Sequence, residues 1–161
     1  MLRAITSIAL LIVIVSCNAK KETLTAKQIA NVKDSVQQMA TSIATTISQQ
    51  GPTAWLRYFE DAPNFFMASE GKLVFPNYDT AKNFINNTLV KIIRKIELRW
   101  SDVRIDPLTT NLANMAATFH EDITDASGKT TPQDGYFTGL AHQTPQGWKL
   151  LNAHWSVMAA H

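Results

Sequence analysis

The sequence predicts an α+β domain: a conical, curved antiparallel sheet wrapped around a long N-terminal helix, with two shorter helices beside it. Three observations carry this prediction. Apolar residues step by threes and fours over residues 29–47, the period of a helix. Segments between residues 96 and 158 alternate apolar and polar side chains, the period of a strand. The helical patterns gather early and the strands late, an order that gives segregated layers rather than alternating βαβ units. A chain of 161 residues has room for one core of ordinary size. Its 45% hydrophobic and 17% charged content argues against disorder. The net charge of +2 is scattered; only residues 91–99 are locally basic, which reads as a solvated helix face, so no nucleic-acid partner is expected.

The N-terminus reads as an address. Met1-Leu2-Arg3 is a short basic start, and residues 4–15 are almost unbroken apolar. That run is shorter than the roughly 20 residues a spanning helix needs, but it suits a signal-peptide core. Ile14-Val15-Ser16-Cys17 follows at once, and it resembles the lipobox of bacterial lipoproteins. The resemblance implies a signal peptide over 1–16, lipidation of Cys17, a polar tether over 17–24 and a domain over 25–161. The protein would then sit in a bacterial cell envelope, lipid-anchored to a membrane on its periplasmic or outer side. The competing reading is a buried or uncleaved apolar segment with an incidental cysteine. Because Cys17 is the only cysteine, an intramolecular disulfide framework and a Cys-based zinc site are both excluded.

The elements of the domain follow in order. Thr25-Ala26-Lys27-Gln28 has the spacing of a capping box. Ile29, Val32, Val36, Met39, Ala40, Ile43 and Ile47 then form the inner stripe of a long helix that Gly51-Pro52 ends. Pro52 opens a short second helix over residues 52–59. Residues 64–69 and 72–75 read as short strands about a Glu70-Gly71 turn. Asp79 is placed to cap a third helix through Lys95, with Phe84, Ile85, Leu89, Ile92 and Ile93 inward. Residues 96–105 alternate as a strand that Pro107 closes, and a change of parity points to a bulge near Ser101-Asp102. Residues 111–124 form a longer strand with Ala113, Met115, Ala117, Phe119 and Ile123 on one face. A turn at 125–129 leads to the last hairpin.

That hairpin carries the candidate site. A three-residue loop at Pro145-Gln146-Gly147 sets Thr138 opposite His154, Leu140 opposite Asn152 and Tyr136 opposite Ser156. Tyr136, Thr138, Asn152, His154 and Ser156 then share one face, expected to be a pocket wall. His154 is a general base or ligand donor there, or else a core histidine satisfied by Thr138 or Tyr136. His120 is a second candidate base, with Asp122 on the same face to orient it; Glu121 points to the opposite face. Trp55, Tyr58 and Trp100 have polar handles on apolar bodies, which suits a pocket rim and a largely apolar ligand. The histidines lack the spacings of a metal site, so neither a metal nor another cofactor is expected.

The order of elements, with Gly147-Trp148-Lys149-Leu150 and His154-Trp155-Ser156, resembles the nuclear transport factor 2-like superfamily, in its SnoaL-like or ketosteroid-isomerase-like branch. The resemblance implies a cystatin-like roll, a pocket between sheet and helices, and frequent homodimers through the outer sheet face. Its members include isomerases, cyclases, dehydratases and proteins that only bind. No motif position here supplies the pocket carboxylate and Tyr donor of the isomerase type. The expectation is therefore an anchored domain that binds a small, largely apolar molecule or acts as an interaction module. The alternative is an isomerase, cyclase or dehydratase using His154 or His120 as base.

Overall fold

A computed structural model describes residues 23–158. The expected signal peptide, Cys17 and most of the tether lie outside the described residues. Helix α1 spans Ala26–Gln50. Thr25 accepts from the Gln28 amide while the Gln28 side chain accepts from the Thr25 amide, completing the capping box. Val32, Val36, Met39, Ala40, Ile43 and Ile47 are its buried stripe. Ile29, expected in that stripe, is exposed: it stands in the first turn, and burial along the helix begins only at Val32. Gly51, in the left-handed region at φ 77°, ends the helix, and Pro52–Arg57 follow as a 3₁₀ turn.

Strands β1 (Phe66–Ser69) and β2 (Lys72–Phe75) form the short hairpin. Helix α2, Tyr78–Phe84, is capped by Asn77 rather than Asp79: the Asn77 side chain accepts from the Thr80 amide at 2.9 Å. It continues through a π-helical turn, Ile85–Leu89, and a last α turn, Val90–Ile92. The helical run therefore ends before Lys95, since Ile93 is already extended and begins β3. Strands β3 (Ile93–Thr109), β4 (Leu112–Asp125), β5 (Thr130–Thr144) and β6 (Gly147–Val157) form the meander.

The six strands make one sheet in the order β2-β1-β6-β5-β4-β3. Every pairing is antiparallel except β1 with β6, which is parallel, so the sheet is mixed. The bulge expected near Ser101-Asp102 is present: the β3–β4 register shifts between Ser101 and Arg104, with Asp102 at φ 51°. Pro107 lies within β3 rather than closing it, which an edge strand tolerates because its outer side has no ladder to lose. Helix α1 packs against β3, and Ser48 Oγ accepts the Leu98 amide at 3.1 Å. The core lies between α1 and the concave sheet face, centred on Phe65, Phe119, Phe137, Ile43, Ile47 and Met115.

The final hairpin differs from expectation in one detail and compensates for it. Thr144 pairs with Gly147, so only Pro145 and Gln146 form the loop. A bulge between Asn152 and Leu150 then restores the register, and Thr138↔His154, Leu140↔Asn152 and Tyr136↔Ser156 are all paired. The bulge also changes parity along β6. Leu150 faces the core, and so do Ala153 and Trp155 beyond it.

Candidate functional site

Strand alternation decides which side chains meet. On β4 the concave parity carries Ala113, Met115, Ala117, Phe119 and Glu121, all buried. Glu121 is the only buried polar or charged residue among those described, at 5% exposure. It interrupts an otherwise apolar face and points into a cavity of about 410 Å³. The walls come from every layer of the fold: Trp55 and Phe59 after α1, Met67 on β1, Phe75 on β2, Ile85 and Leu89 on the π turn, and Ile96, Phe137, Ala153 and Trp155 on the sheet. Val74 and Phe84, both exposed, stand at its mouth. The volume falls within the range of small-molecule pockets, and among the described residues Glu121 is the only ionisable one in its lining.

Burial pushes the Glu121 carboxyl up to about 7, because the apolar walls disfavour its charged form. The indole N–H of Trp155, which can only donate, opposes that rise, as does the charge of nearby His120. Trp155 is itself held by a cage of rings. Its centroid lies 4.3 Å from Phe119, 5.4 Å from Trp55 and Phe137, and 5.5 Å from Trp100. Trp100 is fixed in turn by donating from Nε1 to the Ala40 carbonyl at 3.0 Å. The indole that acts on Glu121 is therefore positioned by packing rather than by a flexible side chain.

The expected polar wall is elsewhere. Tyr136, Thr138 and His154 are exposed on the convex sheet face, with Asn152 and Ser156 half-buried beside them. They share one face as the register requires, but that face is turned away from the cavity. Asn152 Oδ1 accepts the Leu140 amide at 3.2 Å, and Thr138 and Asn152 border a separate shallow depression. His120 is also on the convex face. Its Nδ1 lies 2.7 Å from Asp134 and its Nε2 3.4 Å from Asp122, which also pairs with Arg99 at 2.7 Å. The Asp134 hydrogen bond, with help from Asp122, raises the His120 pKa. The expected orienting role of Asp122 is thus shared with Asp134, in a water-facing network. Trp55 lines the cavity, whereas Tyr58 is hydrogen-bonded to Thr46 at 2.8 Å and Trp100 packs behind Trp155, both outside the lining.

Sequence reasoning passed over Glu121 although a signal was present. A carboxylate on the apolar parity of a strand is an anomaly, since charged groups rarely face a core without a purpose. The neighbouring histidine and the polar face of the last hairpin drew attention to the other parity.

The profile of the SnoaL-like domain matches residues 32–160. No curated protein matches the sequence closely enough to count as a relative. Solved structures share the fold. A nuclear transport factor 2-like superfamily protein from Salmonella enterica serovar Typhimurium LT2 superposes with a TM-score of 0.68 at 20% identity, covering 81% of this chain and 94% of that one. A candidate scytalone dehydratase from Novosphingobium aromaticivorans DSM 12444 gives 0.71 at 10% identity, over 84% and 89% of the two chains. A hexachlorocyclohexane dehydrochlorinase, LinA type 3, from Novosphingobium barchaimii LL02 gives 0.61 at 9% identity, over 82% and 93%.

Proposed function

The chain belongs to the SnoaL-like domain family, and from that premise we propose that it binds a small, largely hydrocarbon molecule in the concave cavity, with Glu121 as the one polar contact. The observation that carries this reading is the cavity itself: about 410 Å³, aromatic and aliphatic on all sides, with a single carboxyl. Burying apolar ligand surface there supplies affinity in proportion to area, and the carboxyl selects orientation. With its proton Glu121 donates to a ligand oxygen or nitrogen; without it, it accepts from an O–H or N–H.

Quenching of the cavity tryptophans tests the reading. A neutral aromatic probe such as 1-naphthol should quench Trp55 and Trp155 saturably, and Ile123→Trp, which fills part of the cavity from a half-exposed wall position, should weaken that binding. Saturable binding that survives the filled cavity would place the ligand elsewhere. The lipobox adds an envelope location to the proposal. Cys17→Ala should release the protein from membranes, and retention of that variant would count against the anchor. Pairing of two copies through the convex sheet face is a further part of the proposal, and sedimentation of the purified domain tests it.

The state of Glu121 favours a second reading, proton transfer of the isomerase or dehydratase type. A carboxyl with a pKa of about 7 is matched to general acid–base work near neutral pH. The base would then be Glu121, in the place the sequence suggested for His154 or His120. Glu121→Gln separates the two readings: it abolishes turnover in the second and changes only affinity in the first.

A further inference from the structure

The cavity shares one wall with a second, very different recess. Ile93 borders the apolar cavity on one side and, on the other, a groove between the end of α1 and the start of β3. The groove is lined by Lys91, Arg94 and Lys95, together with the polar side chains of Ser48, Gln50 and Thr124. No carboxylate lines it among the described residues. Only one of its three cations is neutralised among the described ion pairs, by the Lys95–Glu97 contact. Leu89 lines the cavity and the next residues, Val90 and Lys91, line the groove, so a single short stretch of chain passes from one chemistry to the other. Val90 and Ile92 are exposed along that stretch, so apolar surface lies next to the cations.

We propose that the ligand of this domain is an anionic amphiphile, whose hydrocarbon part fills the cavity while its carboxylate or similar headgroup rests on Lys91, Arg94 and Lys95. The inference rests on the apolar-ligand reading above and names the class of ligand. Two features of the molecule set this orientation. The cavity interior holds only a carboxyl, which repels an anion when ionised and offers it no cation, so a charged head has no reason to enter. The groove offers two flexible ammonium groups and one guanidinium able to grip a planar carboxylate by two parallel hydrogen bonds. A neutral ligand of the same hydrocarbon content would use the cavity and leave the groove to water. The basic stretch that the sequence presented as a solvated helix face thus acquires a task from its position across Ile93 from the cavity.

Decanoate and decanol, with equal carbon counts and different heads, form the test pair, followed at low salt by the shift in emission of the cavity tryptophans as water is displaced. Decanoate should bind about tenfold more tightly than decanol, since contacts between exposed charges are individually modest and several act together. In the double variant Lys91→Glu with Arg94→Glu, decanoate should fall to the affinity of decanol or below. Decanol affinity should stay unchanged, which also shows that the variant is folded. Equal affinity of the two probes for the natural chain overturns the inference while leaving the apolar-ligand reading intact. A decanoate preference that survives the double reversal overturns it as well. Failure of both probes to bind overturns both proposals together.

Discussion

Replacing Glu121 with Gln removes a charge that the folded chain is built to resist. The carboxyl has an ordinary value of 4.5 and is raised to about 7 by burial, so between those limits the folded chain keeps a proton that the unfolded chain gives up. Each pH unit of that gap favours the unfolded chain by about 1.36 kcal/mol, and the whole gap amounts to roughly 3 kcal/mol. The stability associated with neutral Glu121 is complete below about 4.5, declines as pH rises, and is lost once pH passes about 7. Glutamine keeps the shape and can still accept from Trp155, but it never ionises. The two chains should therefore be nearly equal in stability at about pH 4, and the Gln chain should be more stable by up to ~3 kcal/mol at about pH 8. Urea unfolding of both chains across that range measures the difference directly. The raised pKa of His120 makes stability fall in the same direction, but it is present in both chains and largely cancels in the comparison. A difference that does not change with pH, or a Gln chain less stable at pH 8, would refute the account of Glu121 as a carboxyl neutralised by burial.

Three further outcomes follow from the packing. In Gly135→Ala, the new Cβ would meet the Ser156 carbonyl and the Phe119 ring, so thermal denaturation should show a loss of about 1–3 kcal/mol or more, the range for an overpacked core. Trp155→Phe keeps an aromatic ring but deletes the only side-chain donor assigned to Glu121; the carboxyl pKa should rise further, read by isotope-edited NMR of the glutamate carboxyl. His154→Ala removes an exposed side chain on the convex face, so stability should change by less than about 0.5 kcal/mol and probe binding in the cavity should be unaffected.

Much of the fold was legible because each element had a local reason. The Thr25/Gln28 capping box, the stripe from Val32 to Ile47, the Gly51-Pro52 stop and the bulge near Asp102 all depend on a few consecutive residues. The pairing of Thr138 with His154 was also legible, although the loop proved one residue shorter, because the bulge before Asn152 absorbs the difference. The candidate site was less legible. Trp55, anticipated at the rim, does line the cavity. Glu121 and Trp155 share the opposite parity from their polar neighbours His120 and His154, and the choice between parities is made by what lies across the sheet.

The helix and strand periods, the caps, the turns and the pattern of alternating faces are written into the chain locally, since all of these arise from backbone sterics and nearest neighbours. Which face is concave depends instead on contacts between distant elements. Helix α1 covers the side carrying Phe119, Phe137 and Trp155, because burying those rings outweighs anything the polar face offers, and Glu121 is carried inside with them. The properties of that carboxyl follow from its enclosure: an ordinary side chain in the sequence becomes a group poised near neutral pH once walls from helices and sheet exclude water from it.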